Sequence, residues 1–453
     1  MNIINPATDE IIATINADHK DSISTAYHTV KEGQQRWARQ CIDDRLTTIS
    51  SFKELLLSNI DDLAQTLSSE VGKPISQAVG EIKGACGRID FFLNNAKEIL
   101  QEEERYTATG LTEKVSYEPL GVIANISAWN YPYLVGVNVF IPALIAGNAV
   151  LYKPSEYSTL TGLAIERLLH QAGIPQNVFV CIKGTGEVGA MLLDLPLDAY
   201  FFTGSYKTGQ LIYTKVAPKM VPCQMELGGK DPLYVSHHNS DIKGIAAATA
   251  DGAFYNNGQS CCAVERIYVH EAVYETYAEA FIEEVKAYKI GEPSAADTYI
   301  GPLTRKDQMN VLKHQVKDAI SKGATLAAGG NPIDRIGNYF EPTILIDVDH
   351  SMEVMKEESF GPIIGIQKVA NNDEAIALMN DTPYGLTSAI YTDNDDEFIK
   401  MANAMKSGTV YRNCCDRVSA HLPWSGRKNS GFGSTLGKEG VLAFVQVKAW
   451  HLK

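Results

Sequence analysis

The feature that most constrains the fold is an alternation of short apolar segments with helical segments that starts at Gly121. The predicted strands are GVIANI, AVLYKP, VFVCI and AYFFTG, with helices over 134–146 and 160–172 and from Lys207. Short apolar strands that alternate with helices are typical of parallel βαβ units, in which helices cover both faces of a sheet. We therefore expect an α/β fold with a doubly wound sheet.

A second alternating series begins near Asp231, with a predicted helix over 241–255 and strands in RIYVH, IIGIQKV, 387–391 and GTVYRN. A chain of 453 residues exceeds what one core usually organises, so two α/β domains with a cleft between them are predicted. The preceding part, 21–105, is predicted to be mostly helical and to end in one long helix over 81–104. Further strands are predicted over 112–118 and 442–450.

Charge and apolar patterning argue against two kinds of partner. The chain has 54 acidic and 40 basic residues, which disfavours binding to nucleic acid or to an anionic membrane. The segment 120–152 has no charged residue and is long enough to span a membrane. Four asparagines and two prolines interrupt it, so buried strands and a helix explain it better.

The eight cysteines show no CxxC spacing, which indicates reduced thiols in a cytosolic protein rather than a disulfide framework. The ten histidines form no ligand cluster, so no metal site is predicted. The first residues, MNIINPATDE, lack a basic region followed by an apolar one. We therefore expect no signal peptide and a cytoplasmic location.

Two motifs carry a candidate nucleophile and a candidate base. In YNNGQSCCAVER, Cys261 follows a Gly-Gln-Ser turn that can expose backbone to a small substrate, although most cysteines are simply buried. The adjacent Cys262 is the alternative nucleophile. In MELGGK, Glu226 precedes two glycines in an apolar context that favours a base with a raised pKa; a carboxylate that caps a turn is the alternative.

Six motifs occur in the order found in a known family: SAWNYP (127–132), KPSE (153–156), FFTGS (201–205), MELGGK (225–230), NNGQSC (256–261) and EESFGP (357–362). Together they resemble the signature set of the NAD(P)-dependent aldehyde dehydrogenase superfamily. The resemblance extends from NPAT near the amino terminus to the last strand near Val447. It implies an aldehyde dehydrogenase-like fold with a Rossmann-like cofactor domain, an α/β catalytic domain and a small β oligomerisation arm.

The resemblance also implies a division of the chain. The NAD-binding domain would comprise 1–104 and 121–227, the catalytic domain 228–425, and the arm 105–120 and 426–453. Strands with a free edge in the arm would pair with another copy of the chain, so a homodimer or homotetramer is expected.

The activity that the resemblance implies is oxidation of an aldehyde to a carboxylic acid with reduction of NAD. Cys261 would form a thiohemiacetal and then a thioester, and Glu226 would activate the water that hydrolyses it. Asn130 would donate its side-chain amide to the oxyanion, with the backbone N–H of Cys261 as second donor. A helix cap is the alternative role for Asn130, and Ala128 stands where the family often has proline.

The cofactor residues follow from the same resemblance. Glu156 would accept the adenosine ribose hydroxyls and repel a 2′-phosphate, so NAD is favoured over NADP. The helix after Ser205 would direct its amino end at the pyrophosphate. The predicted set is Ser127, Trp129, Lys153, Glu156, Gly184, Gly204, Ser205, Glu358 and Phe360.

The expected partner is a small-molecule aldehyde, and the resemblance nominates residues for its pocket. An inward-facing arginine at 412 or 417 would favour an aldehyde that carries a carboxylate, although arginines on loops usually face solvent. The predicted pocket residues are Tyr131, Leu134, Asn138, Tyr255, Ser260, Cys262, Val418 and Trp424.

Three other functions remain open from the sequence. An acylating dehydrogenase would pass the thioester to coenzyme A and would have little need of Glu226. A catalytically inactive cofactor-binding or structural homologue is disfavoured because thiol, base, amide and cofactor residues are all present. A plain cysteine hydrolase would need a base but no cofactor.

Overall fold

The computed structural model describes residues 1–453, and the first part of the chain is mainly helical. Its elements are β1 (Asn2–Ile4), β2 (Ile11–Thr14), α1 (Lys20–Ala38), α2 (Ile42–Ser58), α3 (Ile60–Val71) and α4 (Ile75–Ile99). The prediction of a helix over 81–104 was wrong at both ends. The helix already begins after Pro74 and continues through Gly80. At its other end, it stops at Ile99, and residues from Glu103 onward form a strand.

The second part of the chain forms a parallel sheet with helices on both faces. After the strands β3 (Glu103–Ala108) and β4 (Leu111–Pro119), the elements are β5 (Val122–Ile126), α5 (Pro132–Ala146), β6 (Ala149–Lys153), α6 (Thr159–Ala172), β7 (Phe179–Cys181), α7 (Gly186–Leu192), β8 (Ala199–Gly204), α8 (Tyr206–Val216) and β9 (Cys223–Leu227). The parallel strands stand in the order β9-β8-β5-β6-β7. This doubly wound arrangement confirms the fold class expected from the alternating pattern.

A second, mostly parallel sheet follows. Its elements are β10 (Asp231–Val235), α9 (Ile242–Phe254), β11 (Val264–His270), α10 (Tyr274–Lys286), α11 (Gln308–Ser321), β12 (Thr325–Ala328), β13 (Thr343–Ile346), β14 (Ile363–Val369), α12 (Asn372–Asn380), β15 (Thr387–Tyr391), α13 (Asp395–Ala404) and β16 (Thr409–Arg412). The strand order is β12-β13-β14-β11-β10-β15-β16, with only β12 antiparallel to its neighbour. Successive residues of β10 point to opposite faces of this sheet. Leu233 and Val235 pack into the hydrophobic core on one face and Tyr234 into the core on the other, as expected for a sheet buried on both sides.

The end of the chain returns to the first sheet before it forms the arm. Its elements are β17 (Gly431–Phe432), α14 (Gly437–Leu442) and β18 (Val445–Leu452). The strand β17 pairs with β9, and Val441 and Phe444 lie in the core of the first sheet. The three-stranded sheet β18-β4-β3 therefore takes only the last few residues of the range 426–453 assigned to the arm. The predicted strand over 442–450 also starts too early, because Leu442 still belongs to α14.

These elements place the functional motifs around one region. The chain crosses from the first sheet to the second through Gly228–Lys230, directly after β9. The carboxyl ends of β5, β6 and β8, where ligands bind in such sheets, carry the SAWNYP, KPSE and FTGS motifs. None of the helices combines the length and the apolar character that a membrane span requires.

Candidate active site

The candidate nucleophile lies on a loop with an unusual backbone. Between the end of α9 and the start of β11, Asn256, Asn257 and Gly258 have φ values of 53°, 58° and 67°. Asparagine is among the few residues that tolerate this left-handed region, and glycine adopts it freely. At Gly258 a Cβ atom would lie 2.5 Å from the carbonyl oxygen of Gly361, so no side chain fits. The NNG sequence therefore makes the turn that presents Cys261.

Side chains from distant elements hold this loop in place. Gln77 accepts a hydrogen bond from the Asn256 N–H at 3.0 Å. The Asn257 side chain donates to the carbonyl oxygens of Gly301 and Pro302, at 2.8 and 2.9 Å. The Thr304 N–H donates to the side-chain oxygen of Gln259 at 3.1 Å. The backbone before the nucleophile is therefore fixed by buried hydrogen bonds.

The two adjacent thiols have different surroundings. Cys262 is buried, and its Sγ donates to Oδ1 of Asp416 at 3.0 Å. The hydrogen bond to Cys261 and burial raise the pKa of Cys262 well above its ordinary value. Cys261, in contrast, is only half-buried. The structure therefore gives Cys261 the accessibility of a nucleophile and leaves Cys262 as a neutral donor beside it.

Asn130 lies against the nucleophile loop. Its side-chain Nδ2 donates to the carbonyl oxygen of Gln259 at 3.1 Å, two residues before Cys261. Its own carbonyl oxygen accepts from Nδ2 of Asn256 at 3.3 Å. Because an amide nitrogen carries two hydrogens, one N–H of Asn130 remains for a substrate oxygen. Asn130 does not cap α5, because Tyr131 occupies the cap position of that helix.

Sequence reasoning missed the ion pair that positions Asn130. Lys73 and Glu81 form a fully buried salt bridge, and Lys73 Nζ also donates to the carbonyl oxygen of Asn130 at 2.7 Å. Glu81 accepts from the Tyr133 N–H at 2.8 Å. The pair therefore clamps both sides of the SAWNYP loop. The sequence offers only a weak signal, a lysine directly before the proline that starts α4.

The candidate base Glu226 lies at the end of β9 and is 8% exposed. Its Oε1 accepts from Thr435 Oγ1 at 3.1 Å and from Gln224 Nε2 at 3.3 Å, whereas Oε2 is buried without a partner. Burial is the main cause that raises the pKa of Glu226 to about 8. Trp424 contributes indirectly, because its backbone exchanges two hydrogen bonds with Thr435. The surroundings are those of a proton acceptor that works near neutral pH rather than of a turn cap.

On the first sheet, the structure brings the predicted nucleotide-binding residues to one edge. Lys153 is buried, its Nζ donates to the Pro154 carbonyl oxygen at 3.0 Å, and burial lowers its pKa. A Cβ atom on Gly189 would lie 3.5 Å from the Lys153 side chain, so the Gly184–Gly189 turn packs beside it. The Oγ atom of Ser127 is buried without a partner. Glu156 is half-buried and lies in the short turn after β6. Gly204 and Ser205 directly precede α8, and Ser205 Oγ caps this helix by accepting a hydrogen bond from the Thr208 N–H.

A second set of predicted cofactor residues lies where the two sheets meet. The Gly229 N–H donates to Oε1 of Glu358 at 3.2 Å, and burial raises the pKa of Glu358 to about 8. Phe360 has a φ of 46°, and its ring lies 5.5 Å from that of Trp129, edge to face. Buried hydroxyl and carboxyl groups with unused hydrogen-bonding capacity, beside flat apolar rings, fit a dinucleotide that carries ribose hydroxyls and a planar ring.

The predicted pocket residues lie at α5, on the nucleophile loop and on the segment between β16 and β17. Lys73 Nζ lies 3.7 Å above the Tyr131 ring, and Ser260 Oγ donates to Asp416 at 3.2 Å. Tyr255 lies at the start of the nucleophile loop, and Val418 packs against the core of the first sheet. The α5 residues are Leu134 and Asn138.

Neither of the arginines considered for an acidic substrate faces this region. Arg412 pairs with Asp395 at 2.5 Å on the protein surface, and the Arg417 side chain is 71% exposed. The inward arginine is instead Arg88 of α4, which sequence reasoning missed. Its Nη1 donates to Asn138 Oδ1 at 2.9 Å and to the Leu134 carbonyl oxygen at 3.1 Å.

Comparison with known proteins agrees with this geometry. Residues 1–450 match the aldehyde dehydrogenase family. Aminoaldehyde dehydrogenase 1, peroxisomal, of Pisum sativum is 32% identical over 98% of this chain and 91% of its own length, and chloroplastic betaine aldehyde dehydrogenase of Beta vulgaris shows the same values. The structure of an indole-3-acetaldehyde dehydrogenase in complex with NAD+ superposes with a TM-score of 0.97 at 30% identity, covering 100% of this chain and 93% of the other. The chain therefore belongs to the aldehyde dehydrogenase family, whose members oxidise aldehydes to carboxylic acids with NAD(P).

Proposed function

We propose that Cys261, Asn130 and Glu226 carry out the aldehyde oxidation of this chain. The observation that supports this most directly is that the amide of Asn130 bonds to the loop of an accessible thiol, Cys261. A nucleophile and an oxyanion donor held together in this way are what a covalent oxidation requires. The net reaction consumes aldehyde, NAD+ and water and yields carboxylate, NADH and two protons.

In the first half of the reaction, the Cys261 sulfur attacks as a thiolate. Its bond to the carbonyl carbon pushes the electron pair onto the aldehyde oxygen, which accepts the free N–H of Asn130 and the backbone N–H of Cys261. NAD, when bound, supplies the acceptor for the hydride that leaves the same carbon. A buried oxyanion donor typically contributes about 3 kcal/mol to the transition state. The Lys73–Glu81 pair contributes by holding the loop of Asn130.

In the second half, water hydrolyses the thioester to release the acid and the Cys261 thiol. Glu226 takes a proton from this water, and its unpartnered Oε2 is the oxygen that would do so. Because the pKa of Glu226 is raised to about 8, the carboxylate is basic enough to deprotonate water in the transition state. The retained base favours hydrolysis over transfer to coenzyme A.

Three finer features belong to the same proposal. Glu156 at the end of β6 favours NAD over NADP, because its carboxylate would repel a 2′-phosphate. All eight cysteines are free thiols, which supports a reducing compartment such as the cytoplasm. The outer strands β18 and β3 of the arm each have an unpaired edge. Such an edge can pair with a strand of another copy of the chain, which supports a homodimer or homotetramer.

The test compares alanine variants of the two adjacent cysteines. We expect Cys261→Ala to abolish both the burst and the steady-state formation of NADH, because no thioester can form. Cys262→Ala is the matched control, since it removes a thiol from the same loop but leaves the attacking sulfur. NADH formation that survives in Cys261→Ala, or that is lost only in Cys262→Ala, would contradict the assignment.

A further inference from the structure

Arg88 occupies a position in the substrate pocket that the proposed chemistry does not use. It lies on α4, is half-buried, and bonds through Nη1 to two groups of α5, the Leu134 carbonyl oxygen and Asn138 Oδ1. These two bonds fix the plane of the guanidinium. Burial lowers the pKa of Arg88 to about 10, which leaves the guanidinium charged at neutral pH. The two residues to which it bonds, Leu134 and Asn138, both belong to the predicted substrate pocket.

The guanidinium has donors that the protein leaves unused. No acceptor in the chain bonds to its Nε or Nη2, and Arg88 forms no salt bridge. Lys73, the other cation at the pocket, differs in this respect, because it forms a salt bridge with Glu81. A half-buried arginine without an anionic partner is unusual, because removing a charge from water is costly unless a counter-ion compensates.

Two glycines lie on the same face of α4 as Arg88. Gly80 and Gly84 precede Arg88 at intervals of four residues and therefore lie on the same face of α4. Both are exposed, and a Cβ atom on them would come within 3.4 Å of the Tyr255 hydroxyl and within 3.3 Å of Leu134, respectively. Each glycine costs the helix about 1 kcal/mol relative to alanine. The helix accepts this cost along the face that borders two predicted pocket residues.

We propose that Arg88 is a specificity-determining residue that binds a carboxylate at the far end of the aldehyde substrate, so that the enzyme prefers ω-carboxy aldehydes. The inference rests on the proposed function, because it deepens the assignment of the same pocket. The unused Nε–H and Nη2–H lie on one edge of the guanidinium, the geometry that binds both oxygens of a carboxylate. The bonds from Nη1 hold that edge in a fixed orientation.

The position of Arg88 along α5 indicates a short substrate. Leu134 and Asn138 lie one turn apart on α5, which begins two residues after Asn130. The guanidinium, which bonds to both residues, therefore lies beside the first two turns of this helix. An aldehyde and a carboxylate separated by a few carbon atoms can contact both groups.

The pocket also holds an acidic side chain, Asp416, which would suit a cationic aldehyde. Its Oδ1 already accepts hydrogen bonds from Ser260 and Cys262, and burial raises its pKa to about 6. Asp416 therefore has part of its bonding capacity satisfied by the loop, whereas Arg88 has a whole donor edge free. This difference favours an anionic substrate over the aminoaldehydes and betaine aldehyde for which two relatives are named.

The experiment measures kcat/KM with NAD for 3-oxopropanoate, 4-oxobutanoate and 5-oxopentanoate, for their neutral methyl esters and for cationic 4-aminobutanal. With the wild-type enzyme, we expect at least one carboxylate to exceed its ester by about 10-fold or more and to exceed 4-aminobutanal. In Arg88→Met, the ratio of acid to ester should fall by about 30-fold to 1000-fold, since truncating one partner of a buried charge pair has effects of this size. Arg88→Lys keeps the charge without the planar fork and should lie between the two.

Lys83→Met is the matched control, because it removes an exposed cation from the same helix and should leave the ratio unchanged. A wild-type preference for esters or for 4-aminobutanal would overturn the inference while leaving the proposed function intact. An equal loss for acid and ester in Arg88→Met would also overturn it, because Arg88 would then act on the thiolate or on folding. If no aldehyde at all supported NADH formation, the proposed function itself would fail. If Arg88→Met does not fold, inhibition of the wild-type enzyme is measured instead. Inhibition by butanedioate but not by its diamide would support the inference, and equal inhibition by the two compounds would contradict it.

Discussion

Replacing Glu226 with glutamine should stabilise the protein in alkaline solution while blocking the hydrolytic step. The carboxyl group of Glu226 is buried, and burial raises its pKa from 4.5 to about 8. In the unfolded chain the group ionises near pH 4.5, so between the two values the native state binds a proton that the unfolded state has lost. The free energy of unfolding therefore falls as the pH rises through this window, by about 1.4 kcal/mol per pH unit.

The full window corresponds to up to about 5 kcal/mol that the ionised carboxylate costs above pH 8. Glutamine does not titrate, and its amide can keep the bonds to Thr435 and Gln224. The difference in unfolding free energy between Glu226→Gln and the wild type should therefore be smallest near pH 5 and should grow in favour of the variant up to pH 9. Urea unfolding at several pH values measures this difference.

The same variant should show a burst of NADH and then almost no turnover, because the thioester forms but is not hydrolysed. Glu279→Gln is the control, since Glu279 is exposed and forms no salt bridge. A stability difference that stays constant from pH 5 to pH 9 would show that Glu226 does not titrate in this window. Undiminished turnover would remove it from the hydrolytic step.

Two further perturbations test the supports of the site. Lys73→Met should lower the free energy of unfolding by about 3–5 kcal/mol, because it leaves Glu81 buried without its partner. Lys97→Met is the control, since it removes an exposed pair and should cost under about 1 kcal/mol. Equal losses of the two variants in urea unfolding would contradict this reasoning. Val447→Asp should shift the protein towards monomers in sedimentation velocity, because Val447 is 65% exposed on the outer strand of the arm. Ile399→Asp, at a residue that is 56% exposed on α13, should leave the assembly unchanged, and a wild-type protein that is already monomeric would refute the role of the arm.

The parts of the fold that the sequence predicted are those set by local pattern. The strands from Val122 to Gly204 and from Asp231 to Arg412 are apolar runs between helices, and parallel pairing follows from that alternation. The return of β17 to the edge strand β9 could not be predicted, because two residues carry no periodicity. The helix predicted over 81–104 begins six residues earlier, at Ile75, and Gly80 lies inside it.

In the candidate site, motifs located the groups that would react but not the groups that hold them. Cys261, Glu226 and Asn130 stand in recognisable local sequences, whereas Lys73 and Arg88 act across 57 and 50 positions, respectively, on partners that only the fold brings near. The sequence left open whether Arg412 faces the pocket, because a nearby position in sequence does not determine which way a side chain points. Its salt bridge with Asp395 directs it to the surface.

The site concentrates arrangements that a protein selected for stability alone would avoid. Glu226 is buried with one oxygen unpartnered, Asn256 and Asn257 have left-handed backbones, and glycines interrupt α4 beside the pocket. Each arrangement lowers stability by an amount on the order of 1–5 kcal/mol, and each lies at or beside a residue to which the proposed reaction or substrate binding assigns a role. The two sheets have separate hydrophobic cores, and these cores offset this loss of stability. Substitutions of the α4 glycines or of Glu226 that raise the free energy of unfolding should therefore lower turnover as well.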